Sequence, residues 1–150
     1  MAWITAGNDR ETIMRSLPGI GDHFAQLYQS FWELPHIPAG ILELCRLRLA
    51  QLHNSHTDWE LEQYPLDPEK KANLRQWSKH AAFTDAERAC LALTEVHAMD
   101  AQAITDEQAD AVKAHFGEVG LVALIQALGV FDGMIRLGLL WGLSAPEGEG

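Results

Sequence analysis

Side chains that can transfer protons or act as nucleophiles are concentrated between residues 43 and 62 of this 150-residue chain. The six candidates are Glu43, His53, Ser55, His56, Asp58 and Glu62. An imidazole exchanges protons near neutral pH, so either histidine could serve as a general acid or base while Glu43 orients its ring. The stretch therefore predicts acid and base chemistry on a small molecule.

The same residues allow two other kinds of site and one structural role. His53 and His56 lie three positions apart, and together with Glu62 they offer the nitrogen and oxygen ligands that zinc or iron binds. Ser55 would be a nucleophile if a histidine removed its proton and Asp58 supported that histidine. Ser55 and Asp58 are also residue types that cap helices. We predict no bound cofactor.

An amphipathic helix should position these side chains. Apolar residues at Leu42, Cys45, Leu49 and Leu52 recur at steps of three and four, which predicts a helix with one buried stripe. The helix should begin near Pro38 and weaken at the polar run that starts at Asn54. A short helix should resume at Asp58 and end before Pro65. The candidate residues thus lie near the end of the main helix and in the turn beyond it.

The rest of the chain also carries helical signals, so we predict one all-α domain spanning residues 1–143, followed by a flexible tail at 144–150. Two capping boxes, Thr84–Glu87 and Thr105–Gln108, each predict the start of a helix. The further predicted helices run from Asp22 to Glu33 after a Pro18–Gly21 turn, from Asp67 to Trp77, from Thr105 to Gly117, and from Glu118 to Trp141.

The segment from Glu43 to Glu62 resembles the active-site helix of the alkylhydroperoxidase AhpD-like branch of the carboxymuconolactone decarboxylase superfamily. That run has a Glu, a Leu-Arg-hydrophobic stretch, and then Cys-x-x-Cys-x-x-x-His. Glu43 keeps the family's spacing, but Ser55 and Asp58 stand at the two cysteine positions and Glu62 stands at the histidine position. The resemblance covers about residues 31–141, with Phe83–Glu95 as its second specific block.

The resemblance implies an all-α fold and a symmetric homo-oligomer, a trimer or a hexamer. It also implies that thiol peroxidase activity is lost, because serine and aspartate cannot form the disulfide that this chemistry needs. Acid and base chemistry on a small organic acid or lactone is the function expected in its place. The alternatives are a non-catalytic protein that binds small molecules or assembles on the same scaffold, and a member that retains peroxidase-type activity.

Composition limits the partners. The formal net charge of -10 and the lack of a dense basic patch argue against nucleic acid. Cys45 and Cys90 lie 45 positions apart within apolar helical patterns, which predicts buried thiols. The N-terminus shows no export signal, so we predict a cytoplasmic protein. The apolar run from Leu121 to Trp141 contains Asp132 and Arg136, which are spaced four positions apart as an ion pair on one helix face would be. Because two central charges are unfavourable in lipid, we predict a buried helix of a soluble oligomer and no membrane partner.

Overall fold

The structure, a computed structural model, describes residues 3–143 and contains only helices and their connections in that range. The predicted all-α class is therefore confirmed, whereas the tail predicted at 144–150 lies outside the described residues. The α-helices are α1 (Arg10–Met14), α2 (Pro18–Phe31), α3 (Ala39–Leu52), α4 (His56–Glu60), α5 (Pro68–Ala72), α6 (Asp85–Met99) and α7 (Asp106–Leu140). Short 3-10 turns follow α5 at Leu74–Gln76 and α6 at Ala101–Ala103.

Both predicted capping boxes begin helices. Thr84 accepts a hydrogen bond from the backbone of Glu87, whose side chain returns one to the Thr84 backbone, and α6 starts there. Thr105 and Gln108 make the same reciprocal pair at the start of α7. These pairs satisfy amide groups that have no partner inside the helix.

A break at Gly117 divides α7 into two helical parts. Its φ of 72° and ψ of -179° lie in a region that is essentially restricted to glycine. The prediction that one helix ends at Phe116-Gly117 and another starts near Glu118 is confirmed, although the two parts follow each other without a loop.

Several predicted boundaries were wrong. The Pro18–Gly21 segment is the first turn of α2 and not a turn before it, because proline suits the first position of a helix as well as it suits a turn. Helix α4 starts at His56, two residues earlier than predicted, since Ser55 caps it. The predicted Asp67–Trp77 helix is split into α5 and a 3-10 turn at Asn73.

Helix α3 forms the centre of the core and packs against α6 and α7. Three of the predicted stripe residues, Leu42, Cys45 and Leu49, are fully buried, and the fourth, Leu52 at the end of the helix, is half-buried. Burial extends around the whole helix, however, and includes two charged residues, Glu43 at 1% exposure and Arg46 at 2%. A central helix covered on all sides can contain charged residues only where they are paired and hydrogen-bonded.

Helix α7 is long and apolar enough to cross a membrane, the one such helix between residues 3 and 143. Core helices of soluble proteins meet the same criterion, so the length and composition of α7 are weak evidence for a membrane span. Part of its apolar surface faces outward at Val119, Val122 and Ile125, which are 43–55% exposed. Cytoplasmic location stays a prediction.

Replacing Gly117 with alanine should destabilise the fold by about 1–3 kcal/mol, because an alanine Cβ is strained at this backbone conformation although the surrounding space is open. The matched control is Gly19→Ala in the first turn of α2, where the space is also open but the backbone geometry is helical. Alanine there should stabilise the protein by about 1 kcal/mol. Chemical denaturation of both variants measures the difference, and equal effects would contradict the assigned break.

Candidate functional site

A tight turn joins α3 to α4 and brings the candidate residues together in two groups. His53 ends α3, and Asn54 follows with a φ of 54°, in the left-handed region that asparagine tolerates better than most residues. Ser55 then caps α4 by accepting a hydrogen bond from the backbone nitrogen of Asp58 at 3.3 Å. The capping role predicted for Ser55 is confirmed, whereas Asp58 lies inside the first turn of α4.

Asp58 is buried, at 2% exposure, and both of its carboxylate oxygens are occupied. Ser55 Oγ donates a hydrogen bond to Oδ2 at 2.7 Å, and an Arg10 guanidinium nitrogen lies 2.5 Å from Oδ1. Arg10 also donates to the backbone oxygen of Met134 at 3.0 Å, which connects α1 to α7. The Ser55 hydroxyl is thus hydrogen-bonded to a carboxylate and not to a histidine, so the geometry of a Ser-His nucleophile is missing.

Sequence reasoning did not find Arg10. It lies 48 positions before Asp58, in a segment outside the family resemblance, and nothing in its neighbourhood distinguishes it from a surface arginine. The only signal in the sequence is Asp58 itself, because a carboxylate that becomes buried requires a cation or several hydrogen-bond donors. That requirement predicts that a partner exists but does not say where in the chain it lies.

Glu43 pairs with Arg46 and not with a histidine. Arg46 Nε lies 2.6 Å from Oε1, and a second guanidinium nitrogen lies 3.1 Å from Oε2. Oε2 also accepts hydrogen bonds from the backbone nitrogens of Gln63 and Tyr64, at 2.8 and 3.3 Å. Arg46 completes its contacts with the carbonyl oxygens of Asp58 and Leu61. The pair fastens α3 to the segment that follows α4.

His53 contacts a different acid. Its Nε2 lies 2.6 Å from Asp132 Oδ1, and Arg136 donates to the other carboxylate oxygen at 2.7 Å. Burial alone would raise the pKa of Asp132, but the hydrogen bonds from Arg136 and His53 outweigh it and hold the pKa below its ordinary value. The predicted Asp132–Arg136 ion pair on α7 is confirmed.

The remaining candidates are on the surface. His56 and Glu62 are exposed, and neither side chain pairs with Glu43. No group of three histidine, cysteine or acidic side chains within residues 3–143 is arranged to hold a metal ion. The His53, His56 and Glu62 ligand set considered above is therefore not assembled.

Both cysteines are free and completely buried, in α3 and α6 respectively. Burial raises the pKa of Cys45 to about 12, with only partial compensation from a hydrogen bond with Thr94. Burial, reinforced by the nearby Cys45 and Glu87, also raises the pKa of Cys90. A thiol with so high a pKa is protonated near neutral pH and is a poor nucleophile toward peroxide.

Two cavities meet at Arg10. The smaller, about 140 Å³, is lined by Ser55, His56 and Asp58 on one side and by Gly138 and Leu139 on the other. The larger, about 470 Å³, lies between α1, α2 and the segment after α4. Its apolar walls include Met14, Phe24, Leu61, Met134 and Leu143, and its polar lining includes Asp9, Tyr28 and Gln63. The larger volume falls in the range of small-molecule sites.

Tyr28 is the polar residue of the larger cavity that is best placed to recognise a ligand. Its hydroxyl makes no hydrogen bond to another residue in the described part of the chain. Burial raises the pKa of Tyr28 to about 12, although the charges of Arg46 and Arg10 oppose the rise. The hydroxyl therefore stays protonated and can donate a hydrogen bond to a ligand acceptor.

Comparison with known proteins adds no family assignment. No protein-family model matches the chain, and no curated protein matches it.

Replacing Glu43 with leucine should destabilise the fold by about 3–5 kcal/mol, because Arg46 would remain buried without a counter-charge. The control is Glu11→Ala, which removes an exposed partner of Arg15 and should cost no more than about 1 kcal/mol. Urea denaturation measures both free energies of unfolding. If Glu43→Leu costs no more than the control, the buried pair does not hold the site together.

Proposed function

We propose that this chain is an AhpD-like protein that binds a small neutral organic molecule without catalysing its conversion, and that it assembles with copies of itself. The observation that carries the proposal is the separation of the proton-transfer groups. Glu43 is bound to Arg46, and His53 is bound to Asp132. The acid and base mechanism predicted from the sequence needs Glu43 to orient a histidine at a cavity. Neither Glu43 nor His53 lines either of the two cavities that meet at Arg10.

The cysteines support the loss of peroxidase-type activity. Thiol peroxidases attack peroxide with a thiolate that has a low pKa and is accessible to solvent. Cys45 and Cys90 have raised pKa values and no exposed surface. Neither cysteine has the low pKa or the access to solvent that this attack requires, so we do not favour the peroxidase alternative.

The larger cavity favours a neutral ligand. The Arg10 charge is already matched by Asp58, Asp9 caps α1 by accepting from Thr12, and Glu11 pairs with Arg15. No unpaired cation among the lining residues remains for a carboxylate, while apolar walls and the Tyr28 hydroxyl suit an uncharged ring with one acceptor oxygen. Of the organic acid and the lactone expected from the sequence, the lactone fits these groups better.

Coumarin is a suitable neutral lactone for the binding test, with coumarin-3-carboxylate as its charged counterpart. In a fluorescence titration, coumarin should bind saturably and more tightly than the carboxylate. Ala25→Trp, at the exposed edge of the cavity, should weaken coumarin binding at least about tenfold, or 1.4 kcal/mol. Tyr28→Phe should weaken it about twofold to tenfold through one lost hydrogen bond.

The control for these variants is Ala111→Trp, which adds the same side chain at an exposed position away from the cavity. It should leave coumarin binding unchanged. Tighter binding of coumarin-3-carboxylate, or equal losses in Ala25→Trp and Ala111→Trp, would contradict the proposed ligand class.

Self-assembly is supported by the outward apolar face of α7. Val119, Val122 and Ile125 from α7 and Leu27 from α2 are each 43–55% exposed. They border two shallow grooves of about 570 and 280 Å³ that run between these helices. An exposed apolar patch on a soluble chain commonly marks a protein interface. A trimer or a hexamer is the assembly that the family resemblance implies.

Ile125→Lys should convert the assembly to a monomer, because a buried, unpaired ammonium group is unfavourable in an apolar interface. The control is Met99→Lys, which places the same charge at an apolar residue that is 77% exposed and does not line the α2–α7 grooves. Light scattering coupled to size exclusion measures the mass of each variant. A monomeric wild-type protein, or dissociation of both variants, would contradict self-assembly through α7.

A further inference from the structure

A third cavity, of about 360 Å³, lies on another side of the α3–α4 turn. It shares no lining residue with the cavity of about 470 Å³ that contains Arg10 and Tyr28. It is bounded by the end of α3, by α4 and by α5 with the 3-10 turn after it. Gln51, Asn54, His56 and Trp59 line one side. Lys71 and Arg75 line the other.

Two unpaired cations distinguish this cavity. Seven of the 11 lysine and arginine side chains form ion pairs within residues 3–143. Lys71 and Arg75 are among the four lysine and arginine side chains without an ion pair, and both of them line this cavity. In a chain of net charge -10, where acids are plentiful, two cations without acidic partners around the same space point to an anionic ligand.

The neighbouring groups favour the same kind of ligand. The Lys71 ammonium lies 5.1 Å from the centre of the Trp59 ring, a cation–π contact that holds it at the cavity wall. Gln51 accepts a hydrogen bond from Arg48 through its amide oxygen, which leaves its amide nitrogen to donate. Glu60 is the one carboxylate among the lining residues, so the two cations, Lys71 and Arg75, outnumber the acids around the cavity.

We propose that this cavity binds a small phosphorylated molecule. A phosphate monoester carries a charge of about -1.5 to -2 and three acceptor oxygens, which matches two cations surrounded by hydrogen-bond donors. The Arg75 guanidinium can bind two phosphate oxygens at once, and Lys71 adds a point charge. The volume exceeds that of inorganic phosphate and leaves room for an organic group against Trp59. This binding is independent of the lactone site.

Isothermal titration calorimetry with phenyl phosphate tests the proposal at fixed ionic strength, with benzoate as the carboxylate counterpart. The wild-type protein should bind phenyl phosphate saturably and more tightly than benzoate. The double variant K71A/R75A should bind it at least about tenfold more weakly. Both residues are at least partly exposed and unpaired, so the variant should fold, which circular dichroism checks.

The matched control is K79A/K113A, which removes two exposed, unpaired lysines outside the cavity and changes the net charge equally. It should bind phenyl phosphate within about twofold of the wild-type affinity, because a general charge effect falls off over about one Debye length. Absence of binding, tighter binding of benzoate, or equal losses in the two double variants would each overturn the proposal. Coumarin binding should be unchanged in K71A/R75A.

Discussion

The buried pair of Glu43 and Arg46 is the interaction on which the rest of the structure depends. Each charge would be very unfavourable alone in the core, so each must find all of its partners there. Glu43 accepts from two backbone nitrogens beyond α4, and Arg46 donates to two carbonyl oxygens in the same region. The chain between residues 58 and 64 is consequently held against α3 by charge-assisted hydrogen bonds.

This arrangement extends outward to the candidate site. Asp58 offers its backbone oxygen to Arg46 and its side chain to Ser55 and Arg10. Arg10 in turn bonds to the backbone of α7. One chain of contacts thus links α3, α4, α1 and α7. A cluster whose polar groups are this fully occupied is suited to hold a shape rather than to exchange protons, which supports the proposal of binding rather than catalysis.

The fold was predictable where the signal is local. Capping boxes at Thr84 and Thr105 involve residues three positions apart, and the glycine at 117 is required by its own backbone conformation. Prediction failed where a local signal has two meanings, as at Pro18, which is equally suited to a turn and to the start of a helix. Helix α1 is only five residues long, which is too short for apolar residues at helical spacing to predict it.

The sequence placed the candidate residues around the α3–α4 turn but did not predict the distant partners of His53 and Asp58. Glu43 pairs with Arg46, and Ser55 pairs with Asp58, over a spacing of three residues that a helix or its cap allows. Their further partners are distant in the chain, because Glu43 also accepts from Gln63 and Asp58 pairs with Arg10. Asp132 lies 79 positions from His53, and Arg10 lies 48 positions from Asp58. Spacing along a helix limits which side chains share a face, but only tertiary packing decides which of them meet.

The two enclosed thiols have a further consequence. Cys45 and Cys90 lie on facing helices, α3 and α6, and neither has any surface that a reagent can approach. Alkylation can therefore occur only while these helices are transiently apart, so the labelling rate reports how often the centre of the domain opens. The two cysteines can thus serve as probes of the transient opening of the core.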